Sequence, residues 1–458
     1  MEHSDGLPAP RRYWAMFAIW LGLAMSVLDS SIANVALPAI ARDVQATPSA
    51  SIWVVNAYQL SMVTALLPLS ALGEIVGYRR IYLIGLVVFT LASGGCAASH
   101  SLPTLASARV LQGFGAAGLM SVNPALVRFT FPRDELGRGL GLNSLVVALS
   151  AAAGPSVASA ILAAAPWPWI FAVNIPFGLL TLAAAAKALP FSTPVPRRFD
   201  VLSAILNAIA FGGLVAGVEL LIRKDGVGEG WVLVALSLVA GVLLVRRSLT
   251  QPLPLMPVDL LRLPMFSLSI SSSVCSFMAA ACATVALPFF LQTVLGRSQV
   301  ETGLLMTPWP LGLAFAAPLA GRLADRYPAG LLSSLGLLVM AAGSAVLALT
   351  PTNASAFDIC WRMAVCGAGF GFFQSPNNRA MLGGTPRERS GGAGGMLATA
   401  RITGQTAGAT AVALTLHLDP TYGARHALWV GVAMALIGAV VSSLRLNPSV
   451  RAAASSTP

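Results

Sequence analysis

Apolar runs of about 20 residues recur from one end of this chain to the other, and a run of that length crosses a bilayer as a helix. Fourteen can be counted, at roughly 13–40, 50–72, 81–98, 102–127, 139–165, 167–189, 201–222, 230–247, 266–292, 300–321, 330–350, 355–376, 391–417 and 426–445. The composition agrees with them. Of 458 residues, 56% are hydrophobic and 10% charged, whereas soluble domains carry about 25% charged residues. The chain therefore reads as an all-α polytopic membrane protein.

The net charge of +11 has a place in that reading. With the N-terminus in the cytoplasm, twenty of the 28 lysines and arginines fall in cytoplasmic segments and five in outer loops, as the positive-inside rule requires. Both termini are then expected in the cytoplasm, and the membrane is expected to be a bacterial cytoplasmic (inner) membrane. Nucleic-acid binding is the rival explanation of a basic chain, but these charges are scattered over short loops and form no patch.

Enzymatic and metal chemistry find no footing. The five cysteines, Cys96, Cys275, Cys282, Cys360 and Cys366, lie in or beside apolar spans without CxxC spacing and read as small packing residues. The four histidines are dispersed, and there is neither HExxH nor GxSxG. The GFGAAG stretch sits inside a span and not after a strand, which argues against a nucleotide fingerprint. No cofactor is expected, and the chain is not expected to be an enzyme.

The chain repeats itself. Val35-Ala36-Leu37-Pro38 returns as Val285-Ala286-Leu287-Pro288, Glu74 as Asp325, Arg109 as Arg362 and Arg128 as Arg379, at offsets of 250, 251, 253 and 251. Four landmarks in order at a nearly constant offset mark two copies of a six-span unit. Spans 7 and 8 follow a proline-rich stretch and stand between the copies. The expected organisation is a cytoplasmic tail (1–12), an N-terminal six-helix half (13–189), a linker with two extra transmembrane helices (190–265), a C-terminal six-helix half (266–445) and a second tail (446–458).

Asp29, in LDSSIANVALP, lies about 16 residues into the first span, roughly 24 Å along the helix. Small residues (Gly22, Ser26, Ala33, Ala36) share its face, which suits a packed or wet interior better than lipid. An acid at such depth is functional by default, as a proton relay or ion pair, and burial brings proton uptake towards neutral pH. Arg109, in the fourth span, lies at matching depth and is the expected partner. Asp358 precedes Arg362 by one helical turn, and that pair reads as a local salt bridge.

Several motifs carry a family resemblance: LDSSIANVALPAI in span 1, GEIVGYRR after span 2, RVLQGFGAAG in span 4, GPSVASAI in span 5, GRLADR after span 10, PLPLMPVDLLRLPMF before span 9 and ARITGQTAGATAVAL in span 13. In that order they resemble the fourteen-span drug:proton antiporters of the major facilitator superfamily, over all but the tails. The resemblance implies two six-helix halves with two extra helices inserted, working by alternating access. It also implies that Asp29 and Arg109 couple transport to protons. The gating loops would comprise Glu74, Gly77, Arg79 and Arg80 in the first copy and Asp325 and Arg326 in the second. In the first copy Glu74 and Ile75 replace the family's aspartate and arginine. Gly154 and Pro155 would form the bend of the antiporter motif, although Ala158 and Ser159 stand where the family has a glycine pair.

The function expected on these grounds is proton-driven export of small amphipathic organic compounds, multidrug efflux, by a monomer in the lipid bilayer with the proton as coupling ion. Trp53, Tyr58, Gln112, Trp309, Arg362 and Phe370 are the expected lining of the substrate cavity. An exporter or importer of one metabolite, or a transport-dead sensor on the same fold, are the alternatives.

Overall fold

The computed structural model describes residues 6–132, 135–192, 198–222, 227–251, 258–324, 326–383 and 390–447. Its long elements are α1 (Ala9–Asp43), α2 (Trp53–Val76), α3 (Tyr78–Ala97), α4 (Leu102–Thr130), α5 (Leu136–Ala164), α6 (Trp169–Ala188), α7 (Val201–Val218), α8 (Val227–Thr250), α9 (Pro264–Phe289), α10 (Gln299–Leu323), α11 (Ala329–Ala348), α12 (Ala356–Gly383), α13 (Ser390–Leu418) and α14 (Gly423–Ser443). Among the described residues thirteen helices are long and apolar enough to cross a membrane. The remaining one of the fourteen expected spans is α13, which is helical throughout but rich in glycine and threonine.

The fold forms two compact units, Met1–Ala36 with Trp53–Ala208, and Leu37–Ile52 with Ile209–Pro458. The boundary falls at a π-helical turn over Ile209–Gly213 within the seventh span. Prolines sit inside helices at repeating positions: Pro38 and Pro288, Pro68 and Pro318, Pro124 and Pro376. A proline inside a helix frees a carbonyl and bends the axis. The three pairs recur at offsets of 250, 250 and 252 residues and so follow the sequence repeat.

Within each unit the helices touch through glycine, since apolar side chains gain little by leaving lipid for another apolar surface. In the first unit a Cβ on Gly113 of α4 would collide with the Tyr58 carbonyl of α2, and one on Gly115 would lie 2.7 Å from the Gly85 carbonyl of α3. In the second unit Gly367 of α12 meets Trp309 of α10 in the same way, and Gly369 would place its Cβ 2.8 Å from the Gly336 carbonyl of α11. These contacts fix the true register of the repeat. Tyr58 and Trp309 are 251 residues apart, but Gly113 and Gly367, like Gly115 and Gly369, are 254 apart. The position equivalent to Arg109 is therefore Met363, fully buried, and not Arg362.

Candidate functional site: a buried carboxylate held by an arginine and two amides

The first unit buries one ion pair. Asp29 of α1 is 2% exposed and Arg109 of α4 is fully buried. Arg109 donates from Nη1 to Asp29 Oδ2, closing a charged contact between two helices. The same Nη1 donates to Gln112 Oε1 at 2.7 Å, and Nε donates to the Val54 carbonyl at 2.8 Å. The guanidinium stands 4.1 Å from the centroid of the Tyr58 ring and 5.4 Å from that of Phe171, an arrangement suited to cation–π attraction. Tyr58 is itself held by its hydroxyl, which donates to the Ser26 carbonyl at 3.1 Å. Nη2 of Arg109 has no hydrogen-bond partner among the described residues.

The other carboxylate oxygen receives two amides. Gln112 Nε2 donates to Asp29 Oδ1 at 2.8 Å, and Asn174 Nδ2 of α6 donates to the same atom at 2.9 Å. Gln112 also donates to Ser93 Oγ of α3 at 2.9 Å. Asp29 thus ties α1 to α4 and α6, and through Gln112 to α3. Three donors, one of them cationic, thus satisfy this carboxylate away from water. To take up a proton it must give up part of that set, so its protonation and the packing of these helices are linked.

The motif around Gly154 packs against α1 on another face, since Ser31 stands about 200° around the helix from Asp29. A Cβ on Gly154 of α5 would collide with the Ser31 hydroxyl, two residues after Asp29 on α1. Pro155 lies inside the helix at the next position, and its carbonyl accepts from the Ser159 hydroxyl at 2.9 Å. Ser159, read from the sequence as a departure from a glycine pair, therefore has a partner of its own.

The loop between α2 and α3 turns at Gly77, whose φ of 103° is open to glycine and strained for other residues. Glu74 is half-buried and Arg80 exposed. Arg79 donates from Nη2 to the Ala186 carbonyl and lies 4.0 Å from the Phe191 ring centroid. Arg11 donates to the neighbouring carbonyls of Ala188 and Leu189, at 3.1 and 3.4 Å. Two cations thus complement the C-terminal carbonyls of α6, and these contacts of Arg79 stay within the first unit. In the second copy Asp325 lies outside the described residues, and Arg326 is exposed.

The residues expected to line a cavity divide. Tyr58 and Gln112 belong to the Asp29 site. Trp53 is half-buried with its indole N–H unpartnered. In the second unit Trp309 is 6% exposed, and Phe370 packs edge-on to Phe277 with centroids 5.3 Å apart. Arg362 pairs with Asp358 on its own helix at 2.8 Å and donates to the Val346 carbonyl at 2.6 Å. It is the nearest arginine in sequence to the repeat position, but its place one residue earlier turns it about 100° around the helix, away from that position.

Two features escaped sequence reasoning. Asn174 and Ser93 are polar residues within apolar spans, and that polarity was the available signal. Arg445, counted from the sequence among the cytoplasmic charges, is instead 1% exposed in the second unit. It donates to Ser442, to Ser269 Oγ at 3.0 Å and to Asn377 Oδ1 at 2.9 Å. Asn377 in turn donates to Ser273 Oγ at 2.8 Å. A terminal arginine reads as a loop charge, and only the tertiary packing shows neutral partners waiting for it.

The chain is similar to known membrane transporters. The chain is 53% identical over 450 residues to the uncharacterized transporter YebQ of Escherichia coli (strain K12), covering 97% of this chain and 98% of that protein. It is 30% identical over 391 residues to the riboflavin transporter RibZ of Clostridioides difficile (strain 630), covering 85% of each. With the multidrug resistance protein Stp of Mycobacterium tuberculosis (strain CDC 1551 / Oshkosh) it shares 31% identity over 404 residues, 86% of this chain and 74% of that one. Its fold matches the crystal structure of a D-xylose-proton symporter with a TM-score of 0.69 at 15% identity, over 94% of this chain and 97% of the other. The family model of the Major Facilitator Superfamily matches residues 19–401 and 270–458. With that match running over nearly its whole length, the chain is a multi-pass membrane transporter, not an enzyme, and belongs to the Major Facilitator Superfamily.

Proposed function

We propose that this transporter exports amphipathic organic compounds in exchange for protons, as a multidrug antiporter, with Asp29 as the residue that is protonated. The observation that carries the reading is the buried Asp29–Arg109 pair joining α1 to α4. A charge pair so placed costs desolvation energy that its mutual attraction only partly returns, and intramembrane acids with that environment serve mainly as proton relays. The likeness to Stp supports the substrate class. The protein would work as a monomer in a bacterial inner membrane, both termini cytoplasmic, by alternating access. In this reading the Glu74–Arg80 and Asp325–Arg326 loops gate the cytoplasmic side.

The test is transport of ethidium, a lipophilic monovalent cation, in proteoliposomes under an imposed pH gradient. Asp29→Asn should lose gradient-driven accumulation while inserting normally. Full coupled transport by that variant refutes the protonation site. The likeness to RibZ favours a second reading, a transporter dedicated to one metabolite. Competition of ethidium transport by many unrelated compounds supports the first reading, and competition by a single compound class supports the second. A sensor that transports nothing would show no gradient-dependent efflux.

A further inference from the structure

We propose that Asn174 is the residue that follows the protonation state of Asp29, donating its amide N–H to the carboxylate and turning to accept the proton of the carboxylic acid. This rests on Asp29 being the residue protonated in transport.

The two amides at Asp29 Oδ1 differ in their freedom. Gln112 is locked. The Ser93 hydroxyl spends its proton on the Phe89 carbonyl at 2.7 Å, so its oxygen can only accept, and Gln112 must present Nε2 to it. The opposite end of the same amide accepts from Arg109 Nη1 at 2.7 Å and from the Cys96 thiol at 3.5 Å. Turning Gln112 over would set oxygen against oxygen at both Ser93 and Asp29, and nitrogen against the guanidinium. Asn174 carries no such lock. It is 6% exposed, and its side chain is held by the bond from Nδ2 to Asp29 Oδ1 at 2.9 Å.

The arriving proton bonds to Oδ1, the oxygen that faces the neutral amides and not the guanidinium, and converts the carboxylate to a carboxylic acid. The new O–H then points at an amide nitrogen unless an acceptor replaces it. Rotation of the Asn174 amide by half a turn about its terminal bond exchanges Nδ2 for Oδ1 and supplies that acceptor, with no atom of the backbone moved. The titratable groups facing the pair are Arg109 from α4, the Tyr58 phenol from α2 and the Cys96 thiol from α3. From α6 come Asn174 and Phe171, its basic Lys187 being 13 residues on, roughly 20 Å along the helix. Asn174 is thus the neutral partner able to serve both states.

The experiment is an infrared titration of the buried carboxyl C=O stretch in purified protein, which needs no transport substrate. The Asp29 band is identified by its loss in Asp29→Asn. Asn174→Leu removes donor and acceptor at similar size. The ion then loses a charge-assisted bond and the acid a neutral one about half as strong, so the midpoint should move to higher pH by about one unit. Asn174→Gln, which returns an amide, should recover part of the shift, and the pH profile of ethidium transport should move with the band. A residue that served packing alone would change yield or rate at every pH and leave the midpoint in place. Should Asn174→Leu not fold, Asn174→Ala, which only removes atoms, carries the same expectation. An Asp29 band whose midpoint is unchanged in the folded variants overturns the role of Asn174 and leaves Asp29 standing. Absence of any titrating band lost in Asp29→Asn overturns both.

Discussion

Arg109 and Arg362 lie on corresponding helices of the two repeats, yet the side chain of the first is fully buried against Asp29 and that of the second is 13% exposed beside Asp358. One residue of register separates them. Glycine contacts align Arg109 with Met363, so the second arginine stands one residue earlier and binds Asp358 on its own helix and the Val346 carbonyl of α11. The charged centre of this protein is therefore built on one side of its internal symmetry.

That asymmetry sets the first prediction. Arg109→Ala leaves a buried carboxylate without its cation, and such losses cost about 3–5 kcal/mol. Arg362→Ala breaks a partly exposed pair, for which about 1 kcal/mol is the upper expectation. Thermal unfolding of the purified variants should show a large drop for the first and a small one for the second. Equal losses would mean the register argument is wrong.

The pH dependence of transport should report the same pair. Loss of the cation removes the charged donor to Asp29 Oδ2. In whatever fraction of Arg109→Ala inserts, the pH profile of ethidium transport should change. An active variant with an unchanged profile would show that the pair is not made during transport.

Gly154 and Ser31 form a contact with no spare volume. Gly154→Ala should destabilise the protein by about 1–3 kcal/mol through overpacking, and Gly154→Val should cost more. Because the obstruction is the Ser31 side chain, the double variant Gly154→Ala with Ser31→Gly should recover most of the loss. Failure of that rescue, measured by thermal stability of the four members of the cycle, would place the strain elsewhere.

Arg445 should matter to stability and not to coupling. Arg445→Met removes the donor that satisfies Asn377 Oδ1 and the Ser269 hydroxyl. Buried polar atoms left unpaired cost about 1–3 kcal/mol each. The variant should melt at lower temperature while the pH profile of its transport stays as in the parent. A shifted profile would give this cluster a part in the proton cycle.

Substrate charge offers a further check. Among the described residues Asp29 is the one buried carboxylate, and it is already engaged by Arg109, Gln112 and Asn174. A dication would need at least two negative partners in a medium of low dielectric. Lipophilic monovalent cations and neutral compounds should be exported well and rigid divalent cations poorly, in a resistance panel using an efflux-deficient host. Divalent biguanides or diamidines as the best substrates would overturn this count.

The sequence by itself determined what depends on distance along the chain. Run lengths gave the spans, because a helix rises by a fixed amount per residue. Counting that rise from each end brought Asp29 and Arg109 to one level. Repeated prolines and acids exposed the duplication, and a handful of motifs gave the family. What it left open depends on the angle around each helix and on how near two helices approach. Arg362 took the wrong repeat position because a small register change in one helix is invisible until glycine contacts reveal it. Gln112 read as cavity lining and Asn174 as nothing at all, since only the meeting of α1, α3, α4 and α6 turns two neutral amides towards one carboxylate. Arg445 read as a loop charge until packing buried it among Ser269, Asn377 and Ser442. Azimuth and helix contact belong to the folded molecule, and local sequence does not encode them one residue at a time.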